Sequence, residues 1–468
     1  MAYEAVDEIV CSVMPGEVRL ALLAKGKPVE FIVEREAEKG RAGEVHLGRV
    51  LRVVPGLDAA FVDLGFGREG YLPAAEAAFE DDNERIADLV AEGGAVLVQI
   101  RKEALADKGP MLSCNITLPG RFLVYAPEQS GVAVSSRLAD EAERKRLVET
   151  VEGMIEEGEG LILRTAAEGA KAADFEADLA ALRALWQEID GTADDREPPC
   201  LMHGEVPLLV RAMRDLAGPE LRRVVVDDAD AAAEARRIAE RDLPALAGAI
   251  EHHAGPELLF DAYDLEEALA DAVARRVSLP SGGELVIDRT EAFVAIDVNT
   301  ARATGRGRLR DTIVETNREA AEEIARQIRL RNFSGRIVVD FISMRQGDER
   351  AALIEAFREA VAGDRLPIRV TGMTTLGLVE MTRRREREAL DEALLSPRLP
   401  ERPESRVTRA FAALREARRM AALDPSAAPE LTLPGAVAKE LESGGAAAEA
   451  RATVERDLGR AIEVRVAD

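Results

Sequence analysis

The alternation of apolar and polar positions changes character several times along the chain. In residues 18–35, VRLALLAKGKPVEFIVER, two apolar-rich runs flank Lys25-Gly26-Lys27, which predicts a β-hairpin reversing at that turn. From 39 to 119 several short strands are split by Gly and Pro (HLGRVLRVVPGLDAAFVDLG, EGYLP, AVLVQIRKE), and their close spacing predicts a small β-barrel. Residues 120–200 open with strand-like FLVYAP and GVAVSSR and pass through a helical stretch. They return to a strand in GLILRTAA and run into a long Ala/Leu-rich helix ending near Ile189, with a linker from Asp195 to Pro199. Residues 201–277 alternate short strands with helices.

Residues 278–394 carry the clearest pattern. GELVIDRTEAFVAIDVN reads as two strands joined by a turn. DTIVETNREAAEEIARQIRLRN sets Ile313, Ala320, Ala321, Ile324, Ala325 and Ile328 on one helical face. GRIVVDFI is a short, nearly continuous apolar strand of the kind buried in a parallel sheet, and ERAALIEAFREAVAG is a second helix. Residues 395–406 are Pro-rich and read as a linker. The tail, 407–468, reads helix, strand, helix, strand, a small unit of its own.

Two of these strands end in aspartate: FVAID places Asp297 after four apolar residues and IVVD places Asp340 after three. A strand, a crossover helix and a second strand normally form a right-handed parallel unit. Side by side, the two strands bring both carboxylates to the carboxyl edge of the sheet, where ligands bind in open α/β folds. Two such groups repel unless one is protonated or a cation sits between them. Asn299, two residues past Asp297, faces the same side if the strand continues, and its amide oxygen is a third hard donor. Two carboxylates and an amide, with no His or Cys nearby, suit Mg²⁺ or Mn²⁺ and not zinc. Such an ion polarises a phosphodiester, activates a bound water and orients in-line attack. Arginines of RATGRGRLR (302–310) would neutralise the phosphate as charge builds. For either aspartate taken singly, a helix cap or a turn accounts for the pattern equally well.

Composition narrows the class. A chain of 468 residues implies two to four domains, and 47% hydrophobic with 32% charged residues describes a soluble, folded protein. The formal charge of −25 argues against indiscriminate phosphate binding, although arginine is concentrated locally at 302–310 and in TRRRER (382–387). Cys11, Cys114 and Cys200 are far apart and form no CxxC pair, which excludes a disulfide framework and a thiolate zinc site and points to the cytoplasm. No signal peptide and no apolar run of membrane-spanning length is legible.

LPSGGELVIDRTEAFVAIDVNTARATG (279–305), ETNREAAEEIARQIRLRNFSGRIVVDFISM (315–344) and GLVEMTRRRE (377–386) resemble the catalytic region of the ribonuclease E/G family, and the likeness runs from about the first hairpin to the C-terminus. It implies a mixed α+β and α/β multidomain fold. An RNase H-like subdomain (1–38 and 201–277) is interrupted by an S1-type β-barrel (39–119) and a 5′-sensor region (120–200). A DNase I-like catalytic subdomain (278–394), a linker (395–406) and a small C-terminal α/β domain (407–468) follow. By that resemblance Asp297 and Asp340 are magnesium ligands, and Asn299 orients the site. The implied enzyme is an endoribonuclease that cuts single-stranded RNA and leaves a 5′-phosphate on the downstream product. In the barrel run 48–73, Phe61 and Tyr71 fall where the family places base-stacking aromatics, and Lys108 matches a basic RNA contact. In GLILRTAA, Arg164 and Thr165 match a grip on a terminal 5′-monophosphate, with Val124 against the terminal base.

The chain departs from the family at one motif. Where members carry Cys-Pro-x-Cys, which shares a zinc between two chains, this sequence has Ser396-Pro397-Arg398-Leu399. No zinc is therefore expected, and a homodimer would have to form without it. The long C-terminal scaffold of ribonuclease E has no counterpart here, which favours a ribonuclease G-like branch. The expected role is processing of ribosomal and transfer RNA precursors and decay of messenger RNA, stimulated by a 5′-monophosphate. Two other readings stay open: a catalytically weak S1-type RNA-binding adaptor, and a nuclease acting on DNA.

Overall fold

In the computed structural model, which describes residues 5–78, 84–103, 109–138, 140–218, 220–300, 309–395 and 404–467, the chain forms two units. One is built from Met1–Glu38, Glu220–Ala232 and Ala249–Asp468, the other from Lys39–Pro219 and Ala233–Gly248. In the first unit the expected hairpin is Glu17–Ala24 with Lys27–Arg35. Its turn residues Lys25 and Gly26 take φ of 51° and 75°, the positive pair that matches the twist of a two-residue hairpin. A further strand, Glu8–Met14, precedes it and pairs antiparallel with Glu17–Ala24. Its run of buried residues from Ile9 to Ser12 is hidden on both faces, so it lacks the alternation that marks a half-exposed strand. Arg223–Val226 lies parallel to Glu8–Met14, and Ile250–His252 lies parallel to that, which completes a five-stranded mixed sheet from two distant stretches of chain.

The same unit holds a six-stranded sheet. In spatial order its strands are Arg276–Ser278, Glu284–Arg289, Val294–Asn299, Gly335–Asp340, Val379–Arg383 and Ile368–Met373. Only Val294–Asn299 and Gly335–Asp340 run parallel; the other neighbours are antiparallel. Leu309–Leu330 is the crossover helix between the parallel pair, and with Gly347–Val361 it buries Ile296, Val298, Ile337 and Val339 against Ala320, Ile324 and Phe357. The tail, expected as helix, strand, helix, strand, has one helix more. Gly444-Gly445 separates Gly435–Glu440 from Ala446–Leu458, and the parallel strands Glu430–Pro434 and Glu463–Ala467 flank them.

In the second unit, Val45–Val54, Ala59–Asp63, Gly70–Pro73, Met111–Ser113 and Ala95–Lys102 close into a five-stranded barrel through the pairing of the first with the last. Gly48 is required at that closure: a Cβ there would stand 2.3 Å from Val62 Cγ1. Cys200–His203 adds to the barrel antiparallel to Val45–Val54, so the stretch 201–277, read from the sequence as one piece, is divided between the two units. A four-stranded sheet follows the barrel, in the order Gly131–Val134, Gly160–Leu163, Leu123–Ala126 and Leu118–Pro119. Leu147 and Val151 of Glu141–Glu152 and Phe175 and Leu179 of Ala172–Gly191 share its core. Among the described residues no helix is long and apolar enough to cross a membrane.

Candidate metal centre and RNA-binding surfaces

The strand Val294–Asn299 alternates strictly. Val294, Ile296 and Val298 are buried under the helices, while Asp297 is exposed on the opposite face. Gly335–Asp340 repeats the pattern, with Ile337 and Val339 buried and Asp340 exposed. The two strands are parallel, and Asp297 is the register partner of Asp340. Residues in register on adjacent strands project from the same face, with their backbones roughly 4.8 Å apart. The structure thus brings the two aspartates side by side at the carboxyl end of the parallel pair. Asn299 joins them: its Nδ2 donates to Asp297 Oδ2 at 2.8 Å. With the amide nitrogen spent in this way, Asn299 acts here as a brace on a carboxylate. Among the described residues no group of three or more His, Cys, Asp or Glu side chains gathers. A cation at this edge would therefore rest on two carboxylates and water, which is how Mg²⁺ is commonly held.

One supporting residue went unread in the sequence. Asn317 is fully buried, and its Nδ2 donates to the Ile342 carbonyl at 2.8 Å while its Oδ1 accepts from the Ile342 N–H at 3.0 Å. This two-point clamp fixes the chain just beyond Asp340. The signal was present: Asn317 sits four residues after Ile313 and three before Ala320, a polar side chain on the apolar stripe of its helix. Of the arginines expected at 302–310, Arg310 is paired with Glu349 at 2.6 Å and also bonds Gln346. Residues 302–308 lie outside the described residues, as do Lys108 and Ser396-Pro397-Arg398-Leu399.

On the barrel, Ala60 and Val62 point into the core and Phe61, between them, is half-buried on the outer side. Phe61 is the register partner of both Arg52 and Tyr71. Its ring lies 5.9 Å from that of Tyr71, edge to face, and the Arg52 guanidinium sits 4.2 Å above it. An aromatic pair under an arginine on an outer barrel face has the makeup of a base-stacking platform.

Arg164 follows the strand Gly160–Leu163. It donates to the Gly120 carbonyl and, at 2.6 Å, to Asp215. Thr165 Oγ1 lies 3.3 Å from Ser135 Oγ, and Val124 lies in the adjacent strand, opposite Ile162. Arg164 and Thr165 therefore lie just past the end of the strand that pairs with the strand of Val124. Asp215, 51 residues from Arg164, could not be read from the sequence as its partner. Burial raises the Asp215 carboxyl, but Arg214 and Arg164 outweigh that and hold it below the ordinary range.

The described residues thus form a mixed α/β multidomain protein with a closed five-strand barrel and a carboxylate pair at a sheet edge. Comparison with known proteins fixes the family. Residues 117–386 match the model described as "Ribonuclease E/G family". The chain is 38% identical to "Ribonuclease G" of Salmonella typhimurium (strain SL1344) over 398 residues, 83% of this chain and 81% of the relative. It has the same identity and coverage with "Ribonuclease G" of Escherichia coli (strain K12). Against "Ribonuclease E" of Escherichia coli (strain K12) it is 37% identical over 81% of this chain and 36% of the relative. The chain belongs to the ribonuclease E/G family.

Proposed function

We propose that this member of the family is a divalent-metal-dependent endoribonuclease that cuts single-stranded RNA, with Asp297 and Asp340 holding Mg²⁺ (or Mn²⁺) and Asn299 orienting Asp297. The observation that carries the reading is the in-register placement of the two aspartates on adjacent parallel strands. The ion would polarise the phosphodiester and lower the pKa of a bound water. The protein's own part is to aim the two carboxylates, through the Asn299 bond and the Asn317 clamp.

In this reading the barrel, of S1 type, guides the strand on Phe61, Tyr71 and Lys108. Arg164 and Thr165 sense a 5′-monophosphate, and hydrolysis leaves a 5′-phosphate on the downstream product. The five-stranded composite sheet is taken as the RNase H-like subdomain, and the substrates are ribosomal, transfer and messenger RNAs of the cytoplasm. A homodimer, where it forms, is held without zinc, so light scattering should give the same mass with and without a zinc chelator.

The test is cleavage of a 5′-monophosphorylated single-stranded oligoribonucleotide with Mg²⁺, by the wild type and by the Asp297→Asn, Asp340→Asn double variant. Loss of cleavage in the variant is expected, and equal activity in the two proteins would remove these residues from the mechanism.

A further inference from the structure

The unit that holds the barrel also holds a cavity of about 340 Å³. Small-molecule pockets span roughly 300–1,000 Å³, so it is large enough for a ligand. Much of its wall is apolar, from Leu118, Val124, Leu182, Leu185 and Val210. Several polar wall groups are already engaged. Asp178 accepts from the backbone N–H groups of Arg121, Phe122 and Leu123 at 3.0, 2.8 and 2.9 Å. Arg101 donates to Thr117 Oγ1 and to the Asn115 carbonyl.

Glu205 differs. Its side chain is only 13% exposed, and Oε1 has no hydrogen-bond partner among the described residues. The Arg214 guanidinium stands 3.6 Å from that oxygen, beyond hydrogen-bond length. Burial raises the Glu205 carboxyl, with Arg214 opposing. A buried acceptor with no donor is costly, and a ligand N–H would recover that cost.

A chain of charges ties this carboxylate to Arg164. Arg164 donates to Asp215, Arg214 donates to the same carboxylate at 3.0 and 2.9 Å, and Arg214 faces Glu205. Gly120, whose carbonyl accepts from Arg164, is itself part of the cavity wall. A nucleotide with its phosphate on Arg164 would therefore have its base at the cavity.

We infer that this cavity receives the base of the 5′-terminal nucleotide of the RNA and that Glu205 selects guanine there. The inference rests on the reading of Arg164 and Thr165 as the phosphate grip. Guanine offers two adjacent donors on its Watson–Crick edge, N1–H and N2–H, which one carboxylate accepts together. Adenine, cytosine and uracil each offer a single donor on that edge. Apolar walls and an unspent acceptor are what a splayed single-stranded base needs.

The experiment uses four oligoribonucleotides that differ only in the first base, each with a 5′-monophosphate and each paired with its 5′-hydroxyl counterpart. The gain in kcat/KM from the phosphate should be roughly tenfold larger for guanine than for the other bases, the size of discrimination a bidentate base contact gives. In Glu205→Gln the four gains should become alike. Ala181→Phe, which fills the cavity from the helix Ala172–Gly191, should level them without altering the carboxylate, and it decides the matter if Glu205→Gln fails to fold. Equal gains for the four bases in the wild type overturn base selection and leave the phosphate grip standing. No gain from the phosphate with any base overturns both.

Discussion

Replacing Glu17 by glutamine keeps the outline of a buried side chain and removes one charge. Its carboxylate accepts from Arg19 Nε at 3.0 Å and Arg35 Nε at 2.8 Å, and it also bonds Arg415 from the tail helix Arg406–Leu423. Burial pushes the Glu17 carboxyl up; Arg415, Arg19 and Arg35 more than reverse this and bring it from the ordinary 4.5 down to about 2. A depression of that size corresponds to about 3 kcal/mol favouring the charged form in the folded protein. Glu17→Gln leaves three guanidinium groups around a neutral amide, and the expected destabilisation is about 3–5 kcal/mol. The folded value lies below the unfolded one, so the contribution is complete above pH ~4.5 and fades as pH falls toward 2. Urea denaturation followed by circular dichroism at pH 7, 4 and 3 should show the gap between variant and wild type narrowing with acidification. A gap under about 1 kcal/mol at pH 7, or one that stays constant to pH 3, would refute the reasoning. The cluster also carries a cost: Arg415 Nε and Nη1 have no hydrogen-bond partner among the described residues, and burial drives its guanidinium down to about 10. Replacing all four residues together by apolar ones of similar volume should accordingly be near neutral.

Three further outcomes are expected. Asn299→Ala, which removes only the 2.8 Å bond to Asp297, should lower Mg²⁺-dependent kcat/KM by about 10–100-fold, the usual loss for a residue that orients a ligand; a loss as complete as that of Asp297→Asn would make Asn299 a ligand instead. Asn317→Ala should destabilise the fold by about 1–3 kcal/mol in thermal or urea unfolding and raise the Mg²⁺ concentration needed for half-maximal activity; an unchanged Mg²⁺ requirement would mean that the clamp does not aim Asp340. Phe61→Ala should weaken binding of a single-stranded oligoribonucleotide by about 1–3 kcal/mol in fluorescence anisotropy; an unaltered Kd would reduce the barrel aromatics to packing.

The placement of the carboxylate pair was legible because each of its strands ends in aspartate and a helix lies between them. Each aspartate closes an apolar run, FVAID or IVVD, and the crossover helix between them implied the parallel pairing that sets Asp297 against Asp340, while the exposure of one face of Gly335–Asp340 was not read from its nearly continuous apolar run. Glu8–Met14 was not legible, since a strand buried on both faces has no alternation to show. Nor was the division of 201–277, because the four residues Cys200–His203 carry no mark of the partner strand they choose. Partnerships across long sequence separations, such as Arg164 with Asp215 or Glu17 with Arg415, are set by packing and leave no local trace. Asn317 is the instructive intermediate: a polar residue on an apolar helical stripe signals a buried hydrogen bond, although not to which backbone atoms.

The split origin of the five-stranded sheet has a consequence during synthesis. The edge of Glu8–Met14 that Arg223–Val226 will occupy emerges from the ribosome 215 residues before its partner does, the separation of the paired Glu8 and Arg223. At about 5–20 residues per second, that delay is roughly 10–40 s. Through that interval the nascent chain presents an open strand edge rich in Ile, Val and Cys, the kind of surface that recruits other chains. Slowed translation between residues 39 and 222 should therefore lower the yield of native protein more than an equal delay placed after the sheet has closed.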